Sequence, residues 1–314
     1  WGKFRKFFPK LNTLALLAAI IFTGFTLRTA WTVVSPTIFS KNYQDKSTDL
    51  SESSLIQIYS SQIAKGGIPL YPEGTLALRR PVGYLYILGF FYKIFGDHQI
   101  IFKILQILMG TALIPMFYFL ALRMFKREGI ALFTAALSAI YPLNVISTNI
   151  LLDEFPFFLF SFAAFCLVAD NVENKNIRHG LAIGLLLGAA AASRTHAFLF
   201  PVLFFMVYVF ARLPFKKAVI QMILSFVLIF LVNSPWAVIT AHHYGKPRFF
   251  TSLQTGWFYC ALNDKATWQN GYYATDAKDG GDPEVYNESN PVTAADKANI
   301  LSVKWIMNNP VKLV

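Results

Sequence analysis

A few residues of this chain have types and spacings suited to acting on an anionic substrate. Arg194 lies in the otherwise apolar stretch Gly180–Ala211, which is interrupted only by Ser193-Arg194-Thr195-His196. Arg79 and Arg80 stand together before Pro81, at the head of an aromatic-rich run. A guanidinium fork binds phosphate through two parallel hydrogen bonds, so both positions suit a lipid phosphate. Asp153-Glu154 opens another apolar run, and Asp45, Asp49 and Glu52 precede the helix-like Leu55–Ala64. A carboxylate within reach of a hydroxyl can take its proton and activate it as a nucleophile. Each position also has a plainer reading. Asp49, Glu52, Asp153 and Glu154 can be helix N-caps. Arg194 can be a snorkelling or structurally paired arginine, and Arg79-Arg80 can simply attract lipid headgroups.

Other chemistries lack their residues. His242-His243 has no further ligands at a zinc-like spacing, so no metal site is expected. Cys166 and Cys260 read as unpaired thiols. There is no Gly-rich phosphate loop and no Ser/His/Asp pattern.

The elements that must position the charged residues follow from composition. The 314 residues are 55% hydrophobic and 14% charged, with 31 Phe. Soluble domains run at ~45–50% apolar and about 25% charged. A soluble globular protein, a disordered chain and a disulfide scaffold are excluded. The net charge of +11 does not call for a nucleic-acid partner, because membrane proteins collect Lys and Arg in cytoplasmic loops. Leu11–Val34 at ~1.5 Å per residue is long enough to cross a ~30 Å hydrocarbon core. It follows a basic N-terminal stretch without an obvious cleavage site, and reads as a retained first span.

Eight apolar runs follow one another: Leu11–Val34, Pro81–Phe95, Gln99–Phe125, Gly129–Ser147, Phe155–Ala169, Gly180–Ala192, Ala197–Ala211 and Ala218–Ile239. Twelve of the 28 Lys and Arg fall in four short segments: residues 1–10, Arg123–Arg127, Lys175 with Arg178, and Arg212–Lys217. The positive-inside rule puts all four on the cytoplasmic face. That requires one of the two runs between residues 35 and 123 not to cross. Pro81–Phe95 is the shorter and carries Tyr84, Tyr86, Phe90, Phe91 and Tyr92, so it reads as a helix at the outer interface. Gly180–Ala211 must then be a hairpin with Arg194 at its outer tip. The expected fold is all-α: a polytopic helical membrane protein of about seven transmembrane helices plus outer interfacial helices. Residues 1–239 form the membrane domain, with a first outer loop over 35–98. Residues 240–314 form an external segment, with a turn-rich Asn263–Asn290, that leads toward a further membrane helix. The chain stops inside a helix-like stretch and is expected to belong to a longer one.

Arg80-Pro81-Val82-Gly83-Tyr84 followed by Phe95-Gly96 resembles the Arg-Pro-Pro-Gly-Tyr…Phe-Gly pattern of polyprenyl-phosphate-sugar-dependent glycosyltransferases. These form glycosyltransferase family 39 of the GT-C superfamily, with the protein O-mannosyltransferases and the aminoarabinose transferases. Arg123…Phe125-Lys126-Arg127, Tyr141-Pro142, Asp153-Glu154-Phe155, Ser193-Arg194-Thr195 and Pro235-Trp236 continue in the family's order. Trp257-Phe258-Tyr259, Asn263, Trp305-Ile306 and Asn309-Pro310 extend the likeness, which covers about residues 11–314. The resemblance implies a GT-C fold with interfacial helices in the first outer loop and more membrane helices after Val314. It implies a polyprenyl-phosphate sugar as donor, no cofactor, and inversion at the anomeric carbon with an early first-loop carboxylate as base. Glu52 matches the second acid of the family's Asp-Glu, Ser51 stands where the Asp would be, and Asp49 lies two residues earlier. Tyr84, as part of the Arg80 motif, joins the implied substrate-binding residues. The family's Pro-Trp-x-x-Arg-Asn is also changed here, to Pro235-Trp236-Ala237-Val238-Ile239-Thr240.

The expected function is a membrane glycosyltransferase of a bacterial inner membrane, with a cytoplasmic N-terminus and a periplasmic or extracellular active face. Glu52 or Asp49 is the expected catalytic base. Arg80, Tyr84, Asp153, Glu154 and Arg194 are the expected binding residues. Partners are the lipid-linked sugar, membrane lipids, and an acceptor lipid, glycan or protein. The rival reading is a catalytically inactive relative serving as scaffold or accessory subunit in a membrane complex. A transporter would want more polar residues inside its spans than Arg28, Lys103, Gln106 and a few Asn, Ser and Thr.

Overall fold

The computed structural model describes residues 11–43, 52–70, 76, 81–174, 177–250, 262, 285 and 288–309. Side chains of 11, 36–43, 52–54, 173–174 and 177–178 are outside that description. The described elements are helical. They are α1 (Leu11–Tyr43), α2 (Glu52–Ala64), α3 (Val82–Phe95), α4 (Gln99–Phe125), α5 (Glu128–Ile140), α6 (Pro142–Ile146), α7 (Glu154–Asn174), α8 (Ile177–Ser193), α9 (Phe200–Phe210), α10 (Phe215–Tyr244) and α11 (Pro291–Asn308). Short 3₁₀ turns cover Ser147–Asn149 and Thr195–Leu199. The chain divides into two compact units. One is Trp1–Leu70 with Val82–Asn233, and the other is Tyr71–Pro81 with Ser234–Val314.

Among the described residues, four helices are long and apolar enough to cross a membrane: Asn12–Ser35, Gln99–Phe125, Glu154–Val172 and Phe215–Tyr244. A fifth span forms if Glu128–Ile140 and Pro142–Asn149 count as one helix bent by 52°. Val82–Phe95, His179–Ser193 and Thr195–Phe210 are apolar but shorter. The fold is thus all-α and polytopic, as the sequence predicts, with four or five candidate spans among the described residues and the two hairpin arms among the shorter apolar helices. The run Gly129–Ser147, expected to be one span, breaks at Tyr141-Pro142. Proline offers no N–H and drives the preceding residue out of helical geometry, and Tyr141 is extended at φ −60, ψ 119.

In the first unit, α1 and α5 run in parallel. Thr13 Oγ1 donates to Glu128 Oε2 at 2.6 Å near their starts. Farther along, Trp31 Nε1 donates to Ile146 O at 3.3 Å, and Asn149 Nδ2 donates to Ser35 Oγ at 2.6 Å. Ala131, Ala135 and Ala139, four residues apart on α5, give a smooth face. Ile114, Tyr118 and Ala121 of α4 and Leu17, Ile20 and Ile21 of α1 pack on that face.

Four further helices pack in two parallel pairs. Helices α7 and α9 meet through Phe157–Phe200, Phe165–Phe204 at 5.1 Å, and Asn171 Nδ2 to Tyr208 Oη at 3.1 Å. Helices α8 and α10 approach along Gly180, Gly184 and Gly188. A Cβ on Gly184 would stand 2.6 Å from Leu228, and one on Gly188 would stand 2.8 Å from Val232. Asn233 Nδ2 donates to Gly188 O at 3.1 Å, which fastens the approach.

These contacts sort the loops onto two ends of the bundle. Thr13, Glu128, Arg123, Asp170 and His179 share one end. Arg123 Nη2 lies 2.5 Å from Asp170 Oδ1, and His179 Nδ1 lies 3.7 Å from its other oxygen. Ser35, Asn149, Asp153, Glu154 and Arg194 share the other, where Gln106 Nε2 donates to Ile150 O at 2.8 Å. Helices α8 and α9 thus form the hairpin expected from charge, with Arg194 at its tip. Helix α3 begins against the same end, at Ala192, and reaches α4 at that end through three residues. It does not traverse the bundle.

In the second unit, α11 starts at an N-cap that the sequence reading did not use. Asn290 accepts from Val292 N and Thr293 N, and Pro291 follows at the first helical position. Arg248 donates to Asp296, and Lys246 Nζ lies 3.2 Å from its other oxygen. Lys297 Nζ lies 2.8 Å from Glu288.

Candidate active site

Three residues singled out for their chemistry come together at one end of the first unit. Asp153 ends the loop after the 3₁₀ turn, and Glu154 is the first residue of α7, where a carboxylate also suits the positive end of the helix. Arg194 follows α8 and caps the Thr195–Leu199 turn in an extended conformation, φ −150, ψ 122. Its backbone N–H donates to Ala190 O at 2.7 Å and its carbonyl accepts from Ala197 N at 3.2 Å. The residue is therefore held on both sides while its side chain projects from the hairpin tip. One guanidinium nitrogen, Nη2, donates to Asp153 Oδ1 at 3.1 Å and to Glu154 Oε1. Forty-one residues separate Arg194 from Asp153, so tertiary packing creates the pair.

Burial grades this group. The Asp153 side chain is 5% exposed, whereas those of Glu154 and Arg194 are 33% and 32% exposed. Asp153 is the anchored member, and the other two face an accessible edge. Glu154 Oε2 and Arg194 Nε are buried without a hydrogen-bond partner among the described residues. The group therefore keeps an acceptor and a donor free beside its ion pairs.

Helix α3 brings Tyr84 to the same end. Gly83 lies so close to α8 that a Cβ would meet the Ala192 backbone carbon at 2.7 Å. On its other side, a Cβ on Gly89 would meet Ile63 of α2 at 2.8 Å. Tyr84 is fully buried, its hydroxyl has no partner among the described residues, and it is near enough to Asp153 to feel that carboxylate's charge.

Glu52 is the first residue of α2, consistent with a place at a helix start, but its side chain is outside the described residues. Asp49, Arg79, Arg80 and Cys260 are also outside them. Cys166 is a free thiol. Among the described residues, no group of three or more His, Cys, Asp or Glu could hold a metal ion. Arg28, by sequence a polar residue inside a span, is 1% exposed and faces Gly110 of α4.

No curated protein and no solved structure matches the chain. Residues 79–239, just over half of it, match the family described as dolichyl-phosphate-mannose-protein mannosyltransferase. The matched stretch contains Arg80, Tyr84, Asp153, Glu154 and Arg194, and leaves Asp49 and Glu52 outside. The chain belongs to the dolichyl-phosphate-mannose-protein mannosyltransferase family of membrane glycosyltransferases.

Proposed function

We propose that this protein transfers a sugar from a polyprenyl-phosphate donor to an acceptor hydroxyl or amine at the outer face of a bacterial inner membrane. The observation that carries this reading is the meeting of Arg194 with Asp153 and Glu154 within the family-matched stretch. In the proposed reaction, the acceptor oxygen or nitrogen attacks the anomeric carbon and forms the new glycosidic bond. The bond from that carbon to the phosphate oxygen breaks, and polyprenyl phosphate leaves with the electron pair. Glu52 or Asp49 takes the acceptor's proton. Arg194 and Arg80 hold the phosphate and stabilise the negative charge that grows on it, the kind of preorganised contribution that dominates many enzymes. Asp153 fixes the Arg194 guanidinium, and the free Glu154 oxygen orients a hydroxyl of sugar or acceptor. Tyr84 backs this wall of the site. Residues 240–301 help select the acceptor.

The test uses the full chain in nanodiscs with a radiolabelled mannosyl-phosphate polyprenol and a native membrane extract as acceptor. Arg80→Ala and Arg194→Ala should each abolish transfer, and parent-like activity in both would sink the phosphate assignment. Ser51 in place of the family's Asp favours a second reading, a non-catalytic accessory subunit. A Glu52→Gln, Asp49→Asn double variant separates the two, since an accessory subunit would keep its cellular phenotype.

A further inference from the structure

Arg28 lies in the middle of α1, an apolar span, with 1% of its surface exposed. A buried cation at that depth is costly unless its hydrogen bonds are met, and such residues tend to be functional. Among the described residues, no carboxylate pairs with it. Its Nη1 donates to Gly24 O at 2.9 Å and to Ala139 O at 3.1 Å, and its Nη2 donates to Ser138 O at 3.3 Å. The last two acceptors belong to the final turn of α5, the negative end of that helix. Ser138 O would ordinarily accept from the N–H four residues on, but that residue is Pro142 and has none. The cation and the break therefore complete each other. The break leaves a carbonyl in need of a donor, and the guanidinium needs acceptors.

The same guanidinium and the layer that carries the acid pair both face Gly110 of α4. A Cβ on Gly110 of α4 would lie 3.0 Å from Arg28 Nε, 3.0 Å from the Phe155 ring and 3.5 Å from the Thr148 methyl. Phe155 follows Glu154 directly, and Thr148 belongs to the turn between α6 and Asp153. One and two turns above, α1 holds the far side of the break through Trp31 to Ile146 O and Ser35 to Asn149.

We propose that Arg28 is a positioning residue for the transfer reaction. By filling the carbonyls at the α5–α6 break, it sets the direction in which the chain leaves α5 and hence where Asp153 and Glu154 meet Arg194. This rests on the reading of that triad as the active site.

The test places spin labels at Phe133 and Ile150, two exposed positions on either side of the break, in the full chain in nanodiscs. Arg28→Met should shift and broaden the distance between them. It should also lower kcat for transfer from mannosyl-phosphate polyprenol about tenfold or more per folded molecule, with KM for the donor held within about twofold. Arg28→Lys, which keeps the charge and three donors, should restore most of both. An unchanged distance in Arg28→Met overturns the proposal, as does a changed distance with unchanged kcat. If the parent transfers nothing from this donor, the proposed function fails instead. The distances then decide alone, and unchanged spacing again overturns the role of Arg28.

Discussion

Arg194 and Asp153 are joined at 3.1 Å between the end of α8 and the start of α7, with Asp153 almost wholly buried. Removing the guanidinium would take away the cation that this carboxylate shares with Glu154. Arg194→Ala is expected to cost about 2–3 kcal/mol of stability, below the value for a fully buried pair because Arg194 itself is partly exposed. It should lower transfer by about 100-fold or more in the molecules that remain folded. Arg194→Lys should recover stability better than rate, because an ammonium keeps the charge without the planar fork. Thermal midpoints and single-turnover transfer, measured together, check both halves.

Gly83 tests whether Tyr84 and α3 matter to the site through position. The atoms facing it are backbone atoms of Ala192, which cannot rotate away as a flexible side chain would. Gly83→Ala should cost about 1–3 kcal/mol and reduce transfer by pushing α3 off α8. Gly129→Ala, where a Cβ would meet open space, is the control. Equal behaviour of the two variants would rule out a tight α3–α8 contact.

The Arg123–Asp170 pair sits at the opposite end of the bundle, with side chains 11% and 17% exposed. Asp170→Asn should cost about 2–3 kcal/mol by weakening the hold on a buried cation, yet leave kcat per folded molecule unchanged. A drop in kcat comparable to that of Arg194→Ala would place the chemistry at the wrong end.

The segment after α10 should respond to acid. Burial alone would raise the Asp296 carboxyl, but hydrogen bonds from Arg248 and Lys246 outweigh it and hold it below its ordinary value. The hydrogen bond from Lys297 holds Glu288 down likewise. A carboxyl lowered on folding binds fewer protons in the folded state, so its stabilising contribution is full above the unfolded value, ~4, and is lost as pH falls through the folded value. Amide protection of α11 should therefore be constant from pH 7 to about 5 and fall below about 4. Asp296→Asn should flatten that fall. Hydrogen exchange corrected for its intrinsic pH dependence reads the effect, and a loss confined to the range above pH 5 would contradict it.

Orientation is open to a direct chemical check. Cysteines introduced at Ser147 and at Lys126, in a background with Cys166 and Cys260 replaced by Ser, lie at opposite ends of the bundle. An impermeant maleimide should label the first in intact cells and the second only after the membrane is opened. The reverse pattern would invert the proposed topology.

Much of the architecture could be read because its signals are local. Clustered Lys and Arg set the alternation, and the polar interruption at Arg194 made a hairpin the reading that kept both flanking basic loops on one face. Tyr141-Pro142 carried the break in plain view, yet the surrounding hydropathy masked it. Asn290-Pro291 is a helix start by residue type alone, and the polar loop before it drew the eye away. The triad was legible as three chemical types but not as one cluster, because the meeting of residues 153 and 194 depends on how α7 and α8 pack. Arg28 was least legible of all. Its partners are backbone carbonyls, which every residue has, and only the geometry of a distant helix end makes two of them available.

The sharing of one guanidinium nitrogen by two carboxylates has a consequence for charge. With both acids ionised, the triad of Arg194, Asp153 and Glu154 carries one negative charge more than it neutralises, so an approaching phosphate would be repelled by the group as a whole. A second cation from outside the triad is thus a condition for donor binding and not an embellishment of it. Without that cation the same residues make a surface that favours neutral polyols or amines over phosphates.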